Sequence, residues 1–141
     1  MDAEDQKKGP GMTETGKEDD PLTREIIAAA MEVHSHLGPG LLESAYRVCL
    51  AYELSRRGLK FQMEKPLPVQ YKEVKLDCGY KLDIVVEDKV VVEAKAVDEL
   101  HMVHQAQLLS YLKIGGYKVG LLLNFHAQSL RQGLKRIVLD Y

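Results

Sequence analysis

The residues of this sequence best suited to chemistry are two carboxylates and a lysine: Asp83, Glu93 and Lys95. Both carboxylates lie in runs of β-branched residues, and the short polar segment 87–89 between the runs predicts a β-hairpin. With that loop, Asp83 lies opposite Glu93 and Lys81 lies opposite Lys95, and like charges in opposed positions cost free energy. A divalent cation between the carboxylates would explain such a register, because Mg²⁺ is usually held by one or two carboxylates together with substrate phosphates.

The same spacing also has an ordinary structural interpretation. If the register shifts by two residues, Asp83 pairs with Lys95, and the segment becomes a solvated strand face that carries lysines and carboxylates. Spacing alone leaves both interpretations open, so the choice depends on other parts of the sequence.

Apolar periodicity predicts the elements that position these residues. The predicted elements in chain order are a helix capped by Thr23 that ends at Gly38, a helix over 41–57 whose buried stripe includes Leu42, strands over 61–71, 80–86 and 90–97, a helix from Leu100 that is closed by Gly115-Gly116, and strands over 117–125 and 134–139. Two prolines confine the strand over 61–71 to a sheet edge, whereas apolar residues on both faces of 90–97 predict a central strand. This order indicates an α/β domain with a mixed central β-sheet flanked by helices.

The composition indicates a single cytoplasmic domain. A chain of 141 residues, of which 45% are apolar, suits one domain with a sizeable core. The longest uncharged apolar run, Ile26 to Met31, is far shorter than the ~20 residues of a membrane span, and no apolar stretch follows a basic one at the N-terminus. Cys49 and Cys78 are expected to be reduced residues that serve packing. We therefore expect a cytoplasmic protein with no membrane partner.

Charge is distributed unevenly along the chain, whose formal net charge is −2. Residues 1–20 hold seven acidic residues against three lysines and lack aromatic and branched aliphatic residues, which predicts a disordered acidic tail. Residues 21–141 form the predicted folded domain, in which Lys118, Lys135 and Arg136 are expected to be solvated charges. This domain has a small basic excess, which permits nucleic-acid binding but does not demand it.

Three motifs that follow one another along the chain resemble a single superfamily of enzymes. Asp83 followed by Glu93-Ala94-Lys95 is similar to the core of the PD-(D/E)XK nuclease superfamily. Gln107-Leu108-Leu109-Ser110-Tyr111 resembles the QxxxY element of its RecB-like members. Gly40-Leu41-Leu42-Glu43-Ser44-Ala45-Tyr46 matches the GxxExxY signature that names one small bacterial family in that superfamily. The likeness extends over roughly residues 22–138, although Leu82 stands where many members have proline.

The resemblance implies a restriction-endonuclease-like fold and a nuclease that uses Mg²⁺ or Mn²⁺ to hydrolyse phosphodiester bonds in nucleic acid, DNA rather than RNA. It implies Asp83 and Glu93 as metal ligands, joined by Glu43, and Lys95 as the group that orients or deprotonates the attacking water. It also places Gln107 and Tyr111 at the site; their spacing of four residues puts both on one helix face.

Two other classes of function remain open at this point. One is a non-catalytic nucleic-acid-binding module that retains the nuclease fold, and the other is a protein-interaction module such as a homodimer, which the modest charge would suit. The histidines do not add a further site. His34 and His36 are two residues apart on a helix and cannot face one ligand, and His101 and His104 lack a further ligand at zinc-site spacing.

Overall fold

A computed structural model of the protein describes residues 12–13 and 20–140. The helices and strands are, in chain order, β1 (Met12–Thr13), α1 (Pro21–Leu37), α2 (Glu43–Arg56), β2 (Phe61–Pro66), β3 (Val69–Tyr71), β4 (Val74–Leu76), β5 (Lys81–Val86), β6 (Val90–Lys95), α3 (Met102–Gly115), β7 (Val119–Asn124), a 3₁₀ helix (Leu130–Gly133) and β8 (Leu134–Leu139). Apart from β1 and Asp20, the predicted acidic tail lies outside the described residues. Within the described part of the chain, no helix is both long and apolar enough to cross a bilayer.

Six strands form one mixed sheet in the order β1-β8-β7-β6-β5-β2. The pair β6–β7 is parallel and is connected through α3, whereas the other neighbouring pairs are antiparallel. The α/β fold with a mixed central sheet is therefore confirmed, as are the central position of β6 and the edge position of β2. The predicted strand over 61–71 is in fact two strands, because β3 leaves the sheet and pairs with β4 in a separate hairpin.

The core has two parts, one on each face of the sheet. On one face, the buried residues of α1 and α2 pack against strand residues such as Ile84, Val92 and Leu121. On the other face, Leu108 and Leu112 of α3 pack against the intervening strand residues. Side chains alternate between the two faces of a strand, so helices on both faces bury most residues of β5, β6 and β7.

Four sequence predictions need correction. The N-cap of α1 is Asp20, whose carboxylate accepts hydrogen bonds from the Leu22 amide and the Thr23 hydroxyl, so Thr23 is not the cap. Arg136 is buried, with its guanidinium 3.7 Å from an Asp20 carboxylate oxygen, and is not a solvated charge. Leu42 precedes the first turn of α2 and is 77% exposed, so it is not part of the core. Cys78 is exposed and has no packing role.

Candidate active site

The two carboxylates meet where the β5–β6 hairpin stops pairing through its backbone. The pairs Val86–Val90 and Ile84–Val92 confirm the predicted register, with 87–89 as the turn. At the next opposed pair, Asp83 and Glu93, backbone amides donate to side-chain carboxylates instead of to backbone carbonyls. The Asp83 amide donates to Glu93 Oε2 at 3.3 Å, and the Ala94 amide donates to Asp83 Oδ2 at 3.0 Å. Each carboxylate is thus fixed by the strand that carries the other.

Burial makes this pair electrostatically unusual. Glu93 is only 5% exposed, and this burial, followed by the charge of Asp83, raises its pKa from 4.5 to about 7. Burial also raises the pKa of Asp83, and the charge of Glu43 adds to the effect. Two acids this close in a poorly solvated place favour retention of a proton or the arrival of a cation. The pair therefore has the electrostatics of a cation-binding site.

Glu43 connects helix α2 to the end of strand β6. It is the first residue of α2, and its Oε2 accepts a hydrogen bond of 3.1 Å from the Ala96 amide, directly after Lys95. The loop before α2 holds it in place, because the buried Tyr46 hydroxyl donates to the Gly38 carbonyl at 2.6 Å and accepts from the Leu41 amide at 3.1 Å. In the GxxExxY pattern, the glutamate therefore faces the site and the tyrosine anchors the loop that precedes its helix.

The other predicted residues divide into two that approach the carboxylates and one that does not. Lys95 ends β6, and its charge lowers the pKa values of both Asp83 and Glu93. Tyr111 is half-buried, and burial followed by the charge of Glu93 raises the pKa of its hydroxyl. Gln107 is exposed on α3, and among residues 20–140 no hydrogen bond connects it to the carboxylates. The structure therefore brings Lys95 and Tyr111 to the pair and leaves Gln107 at the rim.

His104 also borders this site. Its Nδ1 accepts a 2.9 Å hydrogen bond from the His101 amide at the start of α3. Burial first, and then the nearby Lys95 charge, lower the pKa of His104, whereas the charge of Glu43 opposes this shift. The neutral ring keeps its proton on Nε2, because Nδ1 is the acceptor.

The residues around Asp83 and Glu93 suit a hard cation by their chemistry. Carboxylate oxygens are the ligands that Mg²⁺ and Mn²⁺ prefer, and Mg²⁺ commonly takes only one or two of them and completes its shell with water and substrate phosphates. Within the described part of the chain, no three histidine, cysteine or carboxylate side chains are grouped closely enough to hold a metal ion between them. The inclusion of Glu43 as a third ligand thus remains a prediction.

Two charged residues near the carboxylates were missed in the sequence. Arg47 lies one helical turn after Glu43, and its charge lowers the pKa values of Asp83 and Glu93. Its guanidinium is 3.9 Å from a carboxylate oxygen of Glu64 on β2. Glu64 falls opposite Asp83 in the β2–β5 register and has a φ of 51°, an uncommon conformation for a residue other than glycine. Strained positions of this kind concentrate at functional sites.

Asn124, a third missed residue, fixes the chain beyond Lys95. Its side-chain amide donates to the Val97 carbonyl at 2.9 Å, and its Oδ1 accepts from the Val97 amide at 3.1 Å. The Phe125 amide adds a 2.8 Å bond to the Lys95 carbonyl. These bonds extend the β6–β7 pairing past the end of the ladder and hold Lys95 in position. A buried polar residue at the end of an apolar strand was the available signal.

Comparison with known proteins assigns the family at the level of the superfamily. A family model described as the PD-(D/E)XK nuclease superfamily matches residues 20–137, which is most of the chain. No curated protein and no solved structure matches the sequence significantly. The narrower GxxExxY and RecB-like assignments remain predictions.

Proposed function

Because the chain belongs to the PD-(D/E)XK nuclease superfamily, we propose that it is a metal-dependent nuclease that hydrolyses phosphodiester bonds in DNA. The observation that carries the proposal is the contact between the half-buried Asp83 and the buried Glu93, in which burial and the charge of Asp83 raise the pKa of Glu93 to about 7. A basic partner in a structural ion pair lowers the pKa of a carboxyl group, whereas in this pair of two acids the pKa values are raised. Raised carboxyl pKa values of this kind are typical of functional sites.

In the proposed site, Asp83 and Glu93 hold Mg²⁺ or Mn²⁺, with Glu43 as a further ligand. When bound, such a cation lowers the pKa of an attacking water and neutralises charge on the phosphate oxygens. Lys95, held by the bonds that follow β6, orients the water with its ammonium group. The Tyr111 hydroxyl, whose raised pKa keeps it protonated, donates to a phosphate oxygen. Gln107, exposed one turn before Tyr111, contacts the DNA strand.

A cleavage assay with matched variants tests the proposal. The wild-type protein should cleave labelled DNA with Mg²⁺ or Mn²⁺ and should not cleave it with a chelator, and RNA should be the poorer substrate. Glu93→Gln keeps the size of the side chain and should lower the rate on the order of 10²-fold or more. Glu32→Gln is the control, because it makes the same charge change on an exposed residue of α1 whose ion-pair partner is His36 of the same helix. Equal rates for the two variants would contradict the proposal.

Glu43→Gln separates a functional from a structural role for that residue. If Glu43 serves only its helix, the change costs roughly 0.3–1 kcal/mol of stability through the helix dipole and leaves cleavage intact. On the proposed role, cleavage falls by a large factor while unfolding changes little, because the amide oxygen of glutamine still accepts from Ala96. Unfolding and cleavage are measured on the same preparation.

The alternative function is a non-catalytic nucleic-acid-binding module that retains the nuclease fold. Such a module would bind DNA in the assay above and leave it uncut in either metal. Calorimetric titration with Mn²⁺ adds a direct measurement, because Asp83→Ala and Glu93→Ala should both lose tight binding if these residues are ligands.

A further inference from the structure

The β3–β4 hairpin presents an exposed apolar face. Its cross-strand pairs Val69–Leu76 and Tyr71–Val74 place these four side chains on one face, because alternate residues of a strand point the same way. Every residue from 71 to 80 is exposed, and Tyr71 is 62% exposed. Exposed apolar patches with charged neighbours mark binding surfaces.

The base of this hairpin adjoins the candidate active site. The Leu67 amide donates to the Tyr80 carbonyl at 2.9 Å, and Tyr80 is followed directly by strand β5, which carries Asp83. The Tyr80 ring packs against Tyr111 in an edge-to-face arrangement, with ring centroids 6.0 Å apart. Tyr80 nevertheless remains 42% exposed. The accessible ring of Tyr80 therefore lies at the outer edge of the site, next to Tyr111, whose pKa is raised by burial and by the charge of Glu93.

Lysines accompany the aromatic residues in this part of the chain. Segment 69–81 holds Lys72, Lys75 and Lys81 against two acidic residues, whereas the whole chain is net negative. The Lys72 ammonium lies 5.4 Å from the centroid of the Tyr71 ring. Rings interleaved with cations bind single-stranded nucleic acid, because unpaired bases stack on the rings and the cations contact the phosphates. A duplex hides the faces of its bases and cannot use such rings.

We propose that Tyr80 and the β3–β4 hairpin bind an unpaired stretch of a DNA strand and lead it to the carboxylate pair. This inference rests on the proposed nuclease function and specifies its substrate class as DNA with a single-stranded segment next to the scissile phosphate.

Binding without metal tests the inference separately from cleavage. Fluorescence anisotropy in the presence of a chelator compares a labelled oligothymidylate with a blunt duplex of the same length. The wild-type protein should bind the oligothymidylate more tightly. Tyr80→Leu should weaken that binding roughly 5- to 150-fold, the equivalent of about 1–3 kcal/mol for one stacked base. Tyr80→Phe, which keeps the ring, should bind like the wild type.

Two further variants keep the test decisive. Tyr71→Leu changes a side chain that is mostly exposed, so this variant should fold normally, and it should also weaken binding of the oligothymidylate. It supplies the measurement if Tyr80→Leu fails to fold. Tyr52→Leu is the matched control, because Tyr52 is an exposed tyrosine on α2 whose described partner is Arg56. Its affinity for the oligothymidylate should equal that of the wild type.

The inference would be overturned if the wild-type protein bound the duplex as tightly as the oligothymidylate or more tightly, or if it did not bind the oligothymidylate detectably. It would also be overturned if both Tyr80→Leu and Tyr71→Leu kept full affinity, or if Tyr80→Phe lost as much affinity as Tyr80→Leu. A wild-type dimer in sedimentation that Tyr71→Leu converts to monomer would assign the face to a second copy of the chain instead. A protein that binds through Tyr80 and cleaves nothing would contradict only the proposed nuclease function.

Discussion

Replacement of Glu93 by glutamine should stabilise the cation-free protein, and the gain should grow as the pH rises. The folded protein binds the Glu93 proton with a pKa of about 7, whereas the ordinary value is 4.5. Between these values the folded state holds more protons than the unfolded state, so the free energy of unfolding of the wild type falls as the pH rises. Glutamine does not titrate, and its side-chain oxygen still accepts from the Asp83 amide.

The size of the effect follows from the shift in pKa. Each unit corresponds to about 1.4 kcal/mol, so a rise from 4.5 to about 7 makes an ionised Glu93 cost the fold about 3 kcal/mol. Above pH 7 we therefore expect Glu93→Gln to exceed the wild type in stability by an amount of that order. Below pH 4.5 the two proteins should be nearly equal. Saturating Mg²⁺ should reverse the difference, because only the wild type retains both carboxylates to bind it.

Urea unfolding followed by circular dichroism, in chelator and across this pH range, measures the difference. Glu73→Gln is the control, because Glu73 is exposed in the turn between β3 and β4. The free energy of unfolding of this variant should equal that of the wild type at each pH. The reasoning is refuted if Glu93→Gln is destabilising above pH 7, or if its effect on stability is the same at both ends of the range.

The remaining predictions concern the fold. Asp20→Ala removes the N-cap of α1 and an ionic partner of Arg136, so urea unfolding should show a loss of about 1 kcal/mol or somewhat more; unchanged stability would contradict the cap assignment. Gly120→Ala places a Cβ 2.9 Å from the Leu108 side chain, and the strain should cost about 1–3 kcal/mol in thermal unfolding; wild-type stability would mean that α3 moves away freely. Deletion of residues 1–19 keeps Asp20 and removes only the two-residue edge strand β1 from the sheet, so the melting temperature should stay within about 2 °C; a larger fall would show that β1 or the acidic segment stabilises the domain.

Local patterns of the sequence were sufficient to predict the β5–β6 hairpin, but they left two registers open. A three-residue loop over 87–89 makes Asp83 and Glu93 meet, a shift by two residues does not, and the family resemblance was needed to choose between them. The position of Arg47 one turn after Glu43 was accessible to the same reasoning. The N-cap was also within reach, because proline favours the first position of a helix, and Pro21 therefore points to Asp20.

Other parts of the site depend on contacts between distant segments. Glu64 matters because β2 pairs with β5 so that it falls opposite Asp83, and the sequence of β2 alone contains no sign of that register. Asn124 matters because it bonds to Val97 on a neighbouring chain segment. The β3–β4 hairpin was missed because its two-residue turn, Lys72-Glu73, lacks the glycine or asparagine that usually marks such turns.

The exchange of backbone amide hydrogens with solvent can report the assembly of this site without any substrate. Three amides donate to carboxylates there: Asp83 to Glu93, Ala94 to Asp83, and Ala96 to Glu43. The first two bonds lie within the β5–β6 hairpin and persist as long as it does. The third spans from the sheet to α2, so a local detachment of that helix exposes Ala96 to exchange while the other two amides remain protected. The relative protection of these amides therefore distinguishes loss of Glu43 from the site from disruption of the carboxylate pair itself.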